Sequence, residues 1–203
     1  MEYSKEFRQA ISAFSSVQKD RLIIRLLKKD RLLSEKLYFE LIDLDTQDEK
    51  RAQMETFVKN EVAAASKYLN NAKYFLRLIR KISSKITEHV KITSDKLGEV
   101  SLNLLLVNEI LTLTKHFRDG YKLYIYLLNK IFRMLVLTQK LDADYFLELN
   151  ESFEQLHERI LKNSELAQLA LHHGLDLNWL QPENIPEHIA IIQKDLKSDG
   201  FLR

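Results

Sequence analysis

The sequence predicts an all-α fold, a bundle or irregular α-α array of about seven to nine amphipathic helices, one or two of them long. Three observations predict it. Apolar residues recur at steps of three and four through most of the 203 residues, the spacing that aligns side chains on one helical face. Only four glycines and two prolines punctuate the chain, so few positions can adopt the left-handed or locked backbone of tight β-turns. Capping residues stand just ahead of several periodic runs. An apolar fraction of 45% can fill one substantial core. A single helical domain over residues 1–203 is therefore expected, with a short-helix subunit (1–44), a long-helix body (46–174) and a tail with one short helix (175–203).

Residues 4–14 place Phe7, Ala10, Ile11 and Phe14 on one face and predict a first short helix. Ser15 followed by Gln18 reads as a capping box, in which each side chain bonds the other's backbone amide. A second helix then carries Leu22, Ile23, Leu26 and Leu27, and a third carries Leu33, Leu37, Leu41 and Leu44. Thr46 with Glu49 is a second capping box, and Asp48 and Glu49 suit the positive end of the helix dipole. Between residues 47 and 91 no glycine or proline occurs, so either one rod or two helices joined near Asn70-Asn71 must result. Leu69, Ala72, Leu76, Ile79, Ser83, Ile86 and Val90 form a coiled-coil-like seam, a narrow stripe that wants one or two partner helices.

Thr93, Ser94 and Asp95 supply caps for a helix running to about residue 119, with Gly120 expected as its left-handed C-terminal cap. That helix and the next, residues 121–140, are apolar on most sides and should be central. The local Tyr-Lys-Leu-Tyr-Ile-Tyr alternation at 121–126 resembles a strand, but a lone strand has no partner and the helical period returns by Leu128. Asp142 or Asp144 is expected to cap a helix striped by Phe146, Leu149, Phe153, Leu156 and Ile160, the pattern resuming to Gly174. The tail should be loop-like around Trp179, which pins it to the body, and should end in a helix with Ile189, Ile192 and Leu196.

Composition excludes several classes of activity. The absence of cysteine removes disulfides, thiolate metal sites and cysteine nucleophiles. No GxGxxG, GxxxxGK[ST] or GxSxG can be written, because even the closest glycines, Gly98 and Gly120, are too far apart; HExxH is also absent. The first residues lack a basic start and an apolar segment, and no uncharged apolar run reaches 18 residues, so no membrane span and a cytoplasmic location are expected. The net charge is +2, but residues 67–140 hold 14 basic and 5 acidic residues while residues 141–203 hold 5 basic and 12 acidic. Oppositely charged segments either screen one another or face different partners.

Lys73, Arg77, Arg80, Lys81 and Lys85 recur at helical spacing and form a candidate basic contact stripe, with Tyr74 interleaved. Such a stripe engages phosphates, docks on protein, or serves as a solvated helix side whose aliphatic stems cover the core. Lys115, Arg118, Lys122 and Arg133 would extend it. Glu148, Glu151, Glu154 and Glu158 form a candidate acidic contact face, solvated or facing a partner. Glu154 and His157 have the spacing of a di-iron carboxylate helix, yet no second such pair exists, so they rank as weak metal candidates and no metal or cofactor is expected. His172 and His173 fit a favourable interaction with the negative end of a helix dipole. A helix-turn-helix over residues 21–41 is disfavoured by the acids Glu35 and Glu40 in its would-be recognition helix.

No catalytic residue emerges, and the balance is against an enzyme. The leading expectation is a non-catalytic helical interaction or scaffold protein that binds a protein partner or itself as a homo-oligomer. The alternatives are a nucleic-acid-associated protein using the basic stripe and, further behind, a carboxylate metalloenzyme around Glu154 and His157.

Overall fold

The computed structural model describes residues 3–113, 117 and 119–203. Among them are ten α-helices and no strand, so the fold is all-α. The helix count exceeds the expected range because Asn163 divides the last long pattern in two. The chain forms two compact units, Met1–Leu44 with Lys91–Thr93, and Asp45–Val90 with Ser94–Arg203. No helix among the described residues is long and apolar enough to cross a membrane.

The first unit contains α1 (Lys5–Ser12), α2 (Ser16–Leu27) and α3 (Arg31–Leu41). Each begins where its sequence supplies a cap. Ser4 Oγ accepts from the Phe7 amide, Ser15 and Gln18 form the expected box, and Asp30 Oδ1 accepts from the Leu33 amide at 3.0 Å. None of the three helices buries a residue. Leu22, Leu27, Leu32, Leu37 and Phe39 are half-buried, while Ile23, Leu26, Leu33 and Leu41 are exposed and Leu44 is 95% exposed. The stripe expected for α3 is therefore not a core stripe. The helix stops at Leu41, which takes Leu44 off its face, and a unit this small has too little interior to cover two apolar sides.

The second unit holds α4 (Gln47–Ala65), α5 (Ala72–Thr93, of which the last three residues group with the first unit), α6 (Lys96–Leu113), α7 (Tyr121–Thr138), α8 (Phe146–Lys162), α9 (Ser164–His172) and α10 (Ile189–Ser198). The stretch from 47 to 91 is two helices. A 3₁₀ turn, Ser66–Tyr68, ends the first, and Asn71 Oδ1 caps the second by accepting from the Tyr74 amide at 3.0 Å. Ala72, Leu76, Ile79, Ser83 and Ile86 are buried, as the spacing predicts, but so are Phe75, Ile82 and His89 beside them. The stripe is thus wider than a narrow seam and is consumed by the chain's own core.

α6 and α7 occupy the centre. α6 buries Val100, Leu102, Leu104, Leu106, Val107 and Ile110 on all sides, so its sequence has no polar face to read. α6 is described to Leu113, and its expected end near residue 119 falls on residues 114–116 and 118, outside the described residues, while Gly120 does not take a left-handed conformation. It lies at φ −80 as the N-cap of α7, while Asp119 adopts φ 54, a value that a short polar side chain tolerates. The expected aspartate cap of α8 is also absent. A 3₁₀ turn, Ala143–Tyr145, leads straight into the helix, and Tyr145 at the N-cap makes no side-chain cap bond. Asn163 closes α8 and caps α9 through the Leu166 amide at 3.0 Å.

The tail packs as expected. Trp179 meets Phe132 edge-to-face at 6.5 Å, and Leu180, Ile185, Ile189 and Leu202 are buried. Gly174, at φ +72, permits the six-to-one bond from the Leu175 amide to the Ala170 carbonyl that closes α9.

Candidate interaction surfaces

α5 presents Lys73, Arg77, Arg80, Lys81 and Lys85 to solvent, because its opposite face is committed to the core. Arg77 stacks on Tyr74 at 4.6 Å from the ring centre, and Arg80 lies 5.7 Å from the centre of Tyr126 on α7. Lys85 pairs with Glu88 on the same helix at 2.6 Å. Of the extension, Lys122 is exposed and Arg133 pairs with Glu99 at 2.9 Å; Lys115 and Arg118 lie outside the described residues.

Glu148, Glu151, Glu154 and Glu158 are likewise exposed on α8, whose other face buries Leu149, Phe153, Leu156 and Ile160. With both charged faces open, the acidic helix does not cover the basic stripe within the chain. Lys162 holds Glu158 at 2.9 Å and keeps its carboxyl below the usual range. Glu154 is exposed and His157 half-buried, and among the described residues no group of three or more metal-ligating side chains gathers around them.

A polar cleft of about 770 Å³ opens between the starts of α4, α6 and α8, lined by Asp48, Arg51, Lys96, Lys140, Asp142 and Glu148 among others. Its buried element is an ion pair. Arg51 Nε and Nη2 donate to Asp95 Oδ2 and Oδ1 at 2.7 and 2.9 Å, with Asp95 only 2% exposed. Asp95 Oδ1 also accepts from the Gly98 amide at 2.8 Å, so the same carboxylate caps α6. A Cβ at Gly98 would overlap that carboxylate. The hydrogen bond to Asp95 raises the Arg51 pKa further above its ordinary value, and burial lowers that of nearby His89. At the centre of the cleft the charges of Arg51 and Asp95 neutralise each other and fix the start of α6.

A second polar cluster interrupts the apolar surface between α6 and α7. Lys130 Nζ donates to Asn103 Oδ1 at 2.7 Å and lies 5.9 Å from the centre of the Tyr126 ring. Burial, and then the neighbouring Arg133, lower its pKa to about 8. His173 is a third buried polar residue, and it closes the tail rather than only meeting a dipole. Its Nδ1 accepts from the Leu202 amide at 3.2 Å, while Asn129 donates to the Leu202 carbonyl at 2.9 Å. Burial and then His172 lower its pKa.

Two apolar surfaces stay open. On α1, Phe7, Ile11 and Phe14 beyond its end are exposed, as are Ile23, Ile24 and Leu26 on α2. Between α4 and α5 runs a trough of about 500 Å³.

No protein-family model, curated protein or solved structure matches the chain.

The Arg51–Asp95 pair, the Lys130 cluster and the trough were not singled out from the sequence. Asp95 stood out as a cap candidate, but its partner lies 44 residues away, and the partner of Lys130 lies 27 residues away. Only the fold brings those pairs together.

Proposed function

We propose that this chain is a non-catalytic helical interaction protein that binds a protein partner or a second copy of itself. The observation that carries the reading is the first unit. Three capped helices bury no residue and leave Phe7, Ile11, Phe14, Val17, Ile23 and Ile24 exposed. Exposed apolar side chains that adjoin one another mark interaction sites, and monomeric soluble proteins rarely leave large patches of them uncovered. The second unit supports the reading from the other side, since the buried charges of its cleft, Arg51 and Asp95, are used in an ion pair and a helix cap. Light scattering on the intact chain, combined with retention of partners from a native lysate, tests it. A complex larger than the monomer is expected, and a strict monomer that retains no protein would contradict it.

A second reading, binding to nucleic acid, is favoured by one observation: the basic stripe of α5 is open to solvent, with two of its arginines stacked on tyrosines. Labelled DNA or RNA would then bind with affinity that falls as salt rises, and Arg77→Glu with Arg80→Glu would weaken it for all sequences alike. No shift at low ionic strength removes this reading.

A further inference from the structure

The trough between α4 and α5 has an apolar floor and a cationic rim. α4 contributes Phe57 and Ala64, and α5 contributes Leu78 and Ile82, positions four to seven apart that each line one helical face. Tyr68 and Tyr74 close one end, edge-to-face at 4.7 Å. Around the opening stand Lys67, Lys81 and Lys85 against Glu61. From Tyr74 to Lys85 the trough follows α5 for about 16 Å at 1.5 Å per residue, enough for side chains at i, i+3 or i+4, and i+7 of a docked helix.

We propose that this trough is the seat for an amphipathic helix of a partner protein, one with aliphatic or aromatic anchors on one face and acidic flanks. Charge complementarity selects the flanks, since the rim carries more cations than anions, and the apolar floor selects the anchors. A phosphate backbone would use the rim and leave the floor wet. The acidic helix α8 of a second copy is also a poor fit, because its anchors Leu149, Phe153, Leu156 and Ile160 are buried in its own core. The inference rests on the interaction-protein reading and adds a seat and a partner class to it.

The test is fluorescence anisotropy of a labelled helical peptide of about 18 residues, with leucine and phenylalanine anchors at i, i+3 and i+7 and glutamate elsewhere, titrated with the full chain. Saturable binding is expected. Lys81→Glu with Lys85→Glu, all exposed positions, should weaken it about tenfold or more, as should Ala64→Trp, which fills the trough from an exposed site. A scrambled peptide of equal charge should bind at least about tenfold more weakly. Circular dichroism of the variants confirms that the fold is kept. Absence of saturable binding up to about 1 mM, equal binding of the scrambled peptide, or indifference to Ala64→Trp would overturn the proposal. So would an oligonucleotide that binds through Lys81 and Lys85 where the peptide does not. If peptide binding fails while the intact chain still forms a complex, the trough is discarded and the interaction reading stands.

Discussion

Asp95 serves two structural roles with one carboxylate, as cap of α6 and as partner of Arg51. Removing it leaves a guanidinium largely shielded from water with only the exposed Asp48 as partner, and loss of one member of a buried pair costs about 3–5 kcal/mol. Asp95→Ala should therefore lower the unfolding free energy obtained by urea titration by that much, whereas Asp48→Ala, at an exposed partner of the same arginine, should change it little. Lys130 gives a second residue-scale expectation. Its folded pKa is lowered to about 8 from 10.5, so above pH 8 the unfolded chain holds more protons and stability rises with pH. Unfolding measured from pH 8 to 9.5 should show that rise in the native sequence and lose it in Lys130→Met. Of these groups, the sequence disclosed the cap. It concealed both partners, because an ion pair or amide contact across distant residues leaves no periodic trace.

At the scale of elements, the capping boxes at Ser15 and Thr46 were legible because a cap is a local bond between residues three apart. The start of α8 was not, since a 3₁₀ turn brings the backbone into the helix without the residue that usually announces it. Burial was legible for α6 and α7, which are apolar all round, and misleading for α3, whose apolar spacing faces solvent. This difference predicts opposite responses to substitution. Leu104→Ala, in the filled core of α6, should cost about 2–5 kcal/mol, while Leu41→Ser, at a 74% exposed position of α3, should change stability by no more than about 0.5 kcal/mol. The α9 closure predicts acid sensitivity. His173 must be neutral to accept from the Leu202 amide, and its folded pKa lies below the ordinary value. As pH falls below about 6.5 the unfolded chain takes up the proton first, so stability declines. Thermal unfolding at pH 7.5 and 5.5 should show that decline, and His173→Asn, which keeps an acceptor without a titrating group, should remove part of it.

For the whole molecule, a filled helical unit follows a short one that has no buried core of its own, and opposite charges lie on separate exposed helices. Charge segregation could be read from counts along the chain, but exposure of the basic stripe could not, because composition does not say which face a neighbour covers. Equally, the three-and-four rhythm gave the all-α class without revealing that the first three helices would leave their apolar residues uncovered. The proposed interaction requires that those residues be covered by protein. Pull-down from a native lysate followed by light scattering, run on the intact chain and on the Phe7→Ser, Ile11→Ser, Phe14→Ser variant, tests it most directly. The intact chain is expected to form a defined complex that the variant loses while circular dichroism shows its helices kept. A monomer without partners, or a complex indifferent to the three substitutions, would contradict it.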